Sequence, residues 1–402
     1  MDSATFRAVS YPWRLYRGQN ALGNLGAEAQ RHGARRALVV CGQTIAHRTN
    51  VVQRIAAQLD KAFAGVYDGV DKNCTWDAML RGAEAARKAE ADMIIAVGGG
   101  TVMMGGRIIA ILVAEQGDPF EMITQYPQGK PAISPKLMAP KVPIINVVTT
   151  PTSAMNRGGS AAKNDEIDHR MEFFDPKTRP VALFWDHEAI MTAPPDLIRS
   201  AGATTLSGSL HALGSRDANP LLEGDRLQAF RLSYRALPLI AAEPENIVPR
   251  IDLFTAAFLQ NRAADDGGRD IRHEAASASY ALASVMHTKY RHVGQGEATT
   301  AVQATVIRRS SPEDMGDPAL VAQGLGVWRE GMSDSATLGA TADAIEAVYV
   351  RAGLPVRVRD LNVPEADLPV LAHETLKIFN AYRGTRPEDY AGRMLAHLRA
   401  AW

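Results

Sequence analysis

Only two cysteines, Cys41 and Cys74, occur in the 402 residues of the chain. Two thiols build neither a disulfide framework nor a cysteine-rich zinc site, so a reducing compartment, the cytoplasm, is expected. An excess of charge is also missing: Lys plus Arg number 44, and so do Asp plus Glu. Neutralising nucleic-acid phosphates needs surplus basic surface, so no nucleic-acid partner is expected, although a local basic pocket for a small anion stays open. Long apolar runs are lacking. The most apolar windows, 91–97 and 108–113, are strand- or helix-sized and fall far short of a membrane span. Residues 1–18 carry Asp2, Arg7, Arg14 and Arg17 where a secretion signal would be continuously apolar, so no membrane partner is expected either.

The chain that remains is ordinary globular material, 46% hydrophobic and 22% charged, which excludes disorder. Its length suits two domains. In the first half, short β-branched runs alternate with helical stretches. Strands are expected at 37–41, 65–67, 93–97 and 143–148. Helices are expected at 51–61, where Val51, Val52, Ile55 and Leu59 can share a face, and at 76–88 and 102–115. Strand–helix alternation with continuously apolar strands implies a parallel sheet covered on both faces. After about Arg199 strand-like runs disappear, and helices are expected at 206–213, 222–242, 251–262, 275–287, 337–351 and 387–400, with Pro387 suiting a first helical turn. The expected organisation is an α/β domain over 1–198 and an all-helical domain over 199–402. Residues 120–141, with Pro127, Pro131, Pro135 and Pro140, read as a long irregular connection.

Two motifs carry chemistry. Gly98, Gly99, Gly100 and Thr101 follow the 93–97 strand and precede a helix. Glycines there let the backbone approach a ligand, and their N–H groups with the helix N-terminus make an anion site. The alternative is a plain tight turn; the position favours a pyrophosphate cradle, although G-x-G-x-x-G is not the pattern. Thr149, Thr150, Pro151, Thr152 and Ser153 follow the 143–148 strand. Hydroxyls at a strand end can bond phosphate or carboxamide oxygens, or cap a turn; with the glycines one strand unit earlier, the ligand reading is favoured.

These two motifs, in this order, resemble the iron-containing (group III) alcohol dehydrogenase superfamily, which includes maleylacetate reductases and is related to dehydroquinate synthases. The resemblance runs nearly the whole length. It continues through Tyr16, Arg17, Gly18 and Leu22, Phe174, Asp175 and Pro176, Trp185 and Asp186, Ala218, Asn219 and Pro220, and Ala352, Gly353, Leu354 and Pro355. Residues 39–43 and 65–70 are similar to the maleylacetate reductase branch. The resemblance implies a Rossmann-like dinucleotide-binding α/β domain and an all-α domain in a dehydroquinate synthase-like architecture. It further implies an active site in the cleft between them, a small-molecule substrate, NAD or NADP as cofactor, and a homodimer. Gly98, Gly99, Gly100 and Thr101 would carry the pyrophosphate, and Thr149, Thr150, Thr152 and Ser153 would line the cofactor. Where many NAD-using relatives place an Asp after the first strand, this chain has Gly42. With no carboxylate to repel a 2′-phosphate and Arg48 or His47 to attract one, NADP acceptance is expected, with NAD open.

The metal site departs further. The family pattern sets an Asp and a His four apart on one helix, with two later histidines, around Fe or Zn. Here His211 is kept, but Ser207 precedes it, Tyr280 and Ser284 stand at helix histidine positions, and Gln295 replaces the last histidine. Ser, Tyr and Gln bring no charge to offset a divalent ion, so no catalytic metal is expected; His273, Glu274, His287, His292 and Glu297 are the nearby residues that another register would offer. Without a metal, His211, Tyr280, His287, His292 and Lys289 are the candidates to polarise a carbonyl or move a proton. Asn156, Arg157 and Gln295 are candidate substrate contacts, the planar fork of Arg157 matching a carboxylate. The segment Gln260, Asn261, Arg262 through Asp265, Asp266, Gly267 and Gly268 is either an active-site insertion or a polar loop. The expected activity is NAD(P)-dependent interconversion of a carbonyl and an alcohol. The alternatives are reduction of an unsaturated keto acid, as in maleylacetate reductases, and a nucleotide-binding sensor that has lost catalysis.

Overall fold

The computed structural model describes residues 8–9, 11–127, 130, 132–167, 169–215, 220–265, 273–381 and 388–402. The chain falls into two compact units that divide between Pro194 and Pro195. That division precedes Arg199, because the helix Pro195–Leu213 runs unbroken through it.

The first unit, Tyr11–Pro194, is built on a parallel sheet. Its strands are β1 (Arg14–Gly18), β2 (Ala37–Cys41), β3 (Phe63–Tyr67), β4 (Met93–Gly98), β5 (Ile144–Val148) and β8 (Ala182–Asp186), in the order β1-β8-β5-β4-β2-β3. A separate antiparallel pair joins β6 (Gly159–Ala162) to β7 (Met171–Phe174). β2, β4, β5 and β8 are buried at every position, as expected for strands covered on both faces. Val39, Ile95, Val97, Ile145, Val147 and Phe184 meet Val51, Ile55 and Leu59 of the helix Val51–Leu59 in one core. The edge strands β1 and β3 are only partly buried. From β2 the chain steps outward to β3, then crosses back to place β4 on the other side of β2. This reversal opens a crevice at the carboxyl ends of β2 and β4, where doubly wound sheets take their ligands.

The second unit holds the helices Pro195–Leu213, Pro220–Ala242, Ile247–Asp265, Glu274–Lys289, Gln295–Arg309, Pro318–Gly324, Asp334–Arg351, Leu368–Glu374 and Tyr390–Ala401, and among its described residues no strand forms. Pro195–Leu213 starts earlier than 206 because Ile198, Gly202, Leu206 and Leu210 continue one buried face at four-residue spacing. The last helix begins at Tyr390, while Pro387 lies outside the described residues, as do Ala218 and Asn219. Among the described residues, no helix is long and apolar enough to cross a membrane.

Candidate functional site

The two motifs meet at the end of β4. Gly98 has φ +153°, and its carbonyl accepts from the Thr149 N–H at 2.9 Å, which joins the tip of β4 to the segment leaving β5. A β-carbon added at Gly99 would lie 2.8 Å from Thr150 Oγ1, and one at Gly100 would lie 2.6 Å from Thr152 Oγ1. Glycine is therefore required by the hydroxyls packed against it. Thr149 and Thr150 are buried, Thr152 is half-buried and Ser153 exposed. Thr152 Oγ1 accepts from the Ala154 N–H at 3.1 Å and starts the short turn Ser153–Asn156. The helix Gly100–Ala114 begins here; the Val102 and Met103 N–H groups both donate to the Gly99 carbonyl at 3.1 Å, and those of Gly100 and Thr101 precede the first intrahelical bond. Glycine backbone, hydroxyls and a helix N-terminus thus converge at the switch point, which fits the pyrophosphate of a dinucleotide. Thr101 Oγ1 donates to the Lys72 carbonyl at 3.3 Å, and Gly42, at the end of β2, bridges to Gly69.

Two residues that the motif reading passed over hold this arrangement. Arg107, only 1% exposed, donates through Nη1 to the Ala154 and Arg157 carbonyls (2.8 and 2.5 Å) and through Nη2 to Ala154 (2.8 Å). Burial, then repulsion from Arg157, pushes its guanidinium down to about 9. Asn146, inside β5, donates to the Met155 carbonyl at 2.8 Å. Both left a signal in the sequence: Arg107 is the one charge in the helix Gly100–Ala114, and Asn146 the one polar residue in β5. Asn156 is buried in the turn that they fix, whereas the Arg157 side chain is exposed.

The end of β2 has a neighbour that the sequence order does not reveal. Gly42 supplies no carboxylate, but Asp68, just past β3, does, and its Oδ2 lies 2.6 Å from Nε2 of His47. His47 is therefore engaged with a carboxylate of its own chain, an adjacency that only strand pairing creates.

In the helical unit, His211 is 5% exposed on the helix Pro195–Leu213, and its Nε2 lies 2.9 Å from Nε2 of Gln303. The buried Tyr349 hydroxyl donates to Gln303 Oε1, which orients the amide so that its NH2 faces the imidazole. Nε2 of His211 must then accept, the proton sits on Nδ1, and Nδ1 is buried without a hydrogen-bond partner. Burial, then His273, pulls the His211 imidazole well below its usual range and keeps it neutral. His273 itself packs edge-on at 5.0 Å and donates to the His211 carbonyl at 3.2 Å.

The other candidates lie on the helices Glu274–Lys289 and Gln295–Arg309 and on the turn between them. Tyr280 is half-buried in mid-helix, and His287, near the end of the same helix, donates through Nδ1 to the Val293 carbonyl at 2.9 Å. His292 is exposed and donates to the Leu361 carbonyl at 3.0 Å; Lys289 is exposed. Gln295 is the first residue of the helix Gln295–Arg309. Glu297 Oε2 accepts from Ser200 Oγ at 2.6 Å, and a β-carbon at Gly296 would lie 2.0 Å from the Ser200 carbonyl, so this carboxylate pins one helix to another. Gln260 donates to the Thr205 carbonyl at 2.6 Å and Arg262 pairs doubly with Asp225, so both serve helix packing; Asp266, Gly267 and Gly268 lie outside the described residues.

The donors around His211 do not suit a divalent cation. Ser207 offers a neutral hydroxyl, and the Nε2 lone pair of His211 is taken by an amide N–H. Among the described residues, no three of His, Cys, Asp and Glu are grouped to hold an ion.

Comparison with known proteins agrees with this architecture. Residues 12–187 match the family described as iron-containing alcohol dehydrogenase. The chain is 26% identical over 376 residues to a 1,3-propanediol dehydrogenase of Citrobacter freundii, covering 92% of each chain. It is 24% identical to maleylacetate reductase 2 of Cupriavidus pinatubonensis, over 64% of this chain and 63% of that one. The crystal structure of a 1,3-propanediol oxidoreductase superposes over 99% of this chain and 100% of its own, with a TM-score of 0.82 at 24% identity. With the matching fold, motif order and relatives, the chain resembles the iron-containing alcohol dehydrogenases and is an alcohol dehydrogenase-like oxidoreductase.

Proposed function

We propose that this protein interconverts a carbonyl and an alcohol with NAD or NADP, and that it does so without the metal that the iron-containing alcohol dehydrogenases are named for. The observation that carries the cofactor half is the interlock of Gly99 with Thr150 and Gly100 with Thr152, at the point where the sheet reverses its order. When bound, the dinucleotide supplies or accepts the hydride. The chain's own part is to hold the pyrophosphate on Gly98, Gly99, Gly100 and Thr101, to line the nicotinamide side with Thr149, Thr150, Thr152 and Ser153, and to keep those hydroxyls in place through Arg107 and Asn146.

What supports the metal-free half is the state of His211. Its Nε2 lone pair is occupied by Gln303, and its Nδ1 keeps a proton with no acceptor. A neutral imidazole of this kind can donate to a carbonyl oxygen and to the alkoxide that develops from it. Tyr280, half-buried, is the second donor on this reading; His287 and His292 spend an N–H each on main-chain carbonyls and are secondary. Asn156, Arg157 and Gln295 remain the proposed substrate contacts. A homodimer in the cytoplasm is the proposed setting; the two buried, free thiols Cys41 and Cys74 suit a reducing compartment.

The test is reduced-nicotinamide turnover against a panel of aldehydes, semialdehydes and unsaturated keto acids. Turnover on simple aldehydes supports the main reading. Turnover confined to keto acids favours the maleylacetate reductase-like reading, in which the exposed Arg157 would grip the carboxylate. Nucleotide binding with no turnover on any of them would instead support a lapsed, sensing role.

A further inference from the structure

We propose that Asp68, oriented by His47, takes the place of the carboxylate missing at Gly42 and makes this protein select NAD over NADP. The inference rests on the dinucleotide reading above and adds which ribose it accepts.

The geometry points to the far side of the crevice from the hydroxyl segment. β2 pairs in parallel with β4, Cys41 opposite Val97, and with β3, Val40 opposite Tyr67. Asp68 therefore follows β3 at the level where Cys41 ends β2 and Val97 nears the end of β4. The two segments stay zipped beyond the strands. Gly42 bridges to Gly69, the Val70 N–H donates to the Cys41 carbonyl at 3.3 Å, and the Gln43 side-chain amide donates to the Asp68 carbonyl at 3.3 Å. A β-carbon at Gly42 would come within 3.1 Å of the Val70 carbonyl, so this position stays small for packing reasons. Any carboxylate must come from elsewhere along the edge.

Adjacent strands are about 4.8 Å apart, so Asp68 stands about 10 Å from the β4 glycines, two strand spacings along the sheet edge. A dinucleotide whose pyrophosphate lies on Gly98–Thr101, and whose nicotinamide half points to the β5 hydroxyls, extends its adenosine half the other way, across β2 towards β3. Its ribose arrives where Asp68 presents an acceptor. A carboxylate accepts hydrogen bonds from the 2′- and 3′-hydroxyls and repels a 2′-phosphate. The Asp68 side chain is 33% exposed, so its second oxygen can meet solvent or ligand while Oδ2 holds His47 at 2.6 Å. His47, 61% exposed, is a group that could welcome a phosphate, and the pair turns it towards Asp68 instead.

The experiment is a fluorescence titration of the full-length protein with NADH and with NADPH. Wild type is expected to bind NADH at least about tenfold more tightly, the scale of one unfavourable charge contact near a surface. Asp68→Asn is expected to cut that ratio by about tenfold or more, mainly by gaining NADPH affinity. His47→Ala, which keeps the carboxylate and removes the imidazole, is expected to keep or widen the preference for NADH. Tight wild-type binding of NADPH, or a ratio unchanged within about twofold in Asp68→Asn, overturns the assignment of Asp68 while leaving the dinucleotide site standing. Failure of wild type to bind either nucleotide overturns both. Should Asp68→Asn fold poorly, the ratio in Asp68→Ser combined with His47→Arg decides: a swing towards NADPH supports the assignment, and none refutes it.

Discussion

Substituting Gly99 by Ala separates a ligand cradle from a turn that is tight for its own sake. The new methyl carbon would sit 2.8 Å from Thr150 Oγ1, about 0.6 Å inside ordinary contact. Gly99 has φ −90°, which any residue adopts, so no backbone strain is added. Relief comes from turning Thr150, and overpacking of this size costs about 1–3 kcal/mol of stability, which leaves the protein folded. The cost to binding is larger if phosphate rests there. Displacing an anion from one charge-assisted N–H bond forfeits about 1.5–3 kcal/mol, or roughly ten- to a hundredfold in Kd for NADH. The assay is nicotinamide fluorescence on Gly99→Ala, Thr150→Ala and the double variant, with a urea melt of each to confirm folding. In the double variant the clash with Thr150 is gone but the methyl still faces the phosphate, so weak binding should persist. Full recovery of binding in the double variant would show that the methyl acted only through Thr150. Unchanged binding in the single variant would refute the cradle outright.

Three further outcomes follow from the same geometry. Arg107→Met removes the donors from the Ala154 and Arg157 carbonyls; urea melts should show a loss of about 1–3 kcal/mol, NADH binding should weaken, and Arg107→Lys should recover part of both. Gln303→Leu leaves Nε2 of His211 and the Tyr349 hydroxyl buried without partners, a cost of about 1–3 kcal/mol that Tyr349→Phe in the same background should partly relieve. His397 is pulled down to about 4 by burial first and then by Arg309 and Arg393. Because the unfolded chain takes up this proton near pH 6.5, stability should be full above that pH and fall towards pH 4, by an amount on the order of 3 kcal/mol. His211 and His273, also lowered, act in the same direction. His397→Phe should flatten this acid limb in thermal melts, and an unchanged slope would count against it.

The central strands were legible because β2, β4 and β5 are buried on both faces and so read as unbroken apolar runs. β1 alternates Arg14, Leu15, Tyr16 and Arg17 at an edge and carries no such signal, and the short β6–β7 pair is equally faint. The helix Gln295–Arg309 was missed for a different reason: its buried positions include Thr299, Thr300, Gln303 and Thr305, so polarity hides its period. Gln303 is also the residue that fixes the state of His211, and only tertiary contact could pair the two. The glycine and hydroxyl motifs were readable as motifs, but the interlock of Gly99 with Thr150 was not. Asp68 makes the same point. Reading Gly42 alone suggested an edge without a carboxylate, whereas the β2–β3 pairing brings one there.

The proposed reaction is hydride transfer by an oxidoreductase that works without iron or zinc. The most direct test is aldehyde-dependent consumption of reduced nicotinamide by protein dialysed against chelator and shown by elemental analysis to be free of iron and zinc. Turnover is expected to survive that treatment undiminished and to fall when His211 is replaced by Phe. Loss of turnover on chelation, with recovery at one equivalent of iron or zinc, would contradict the proposal.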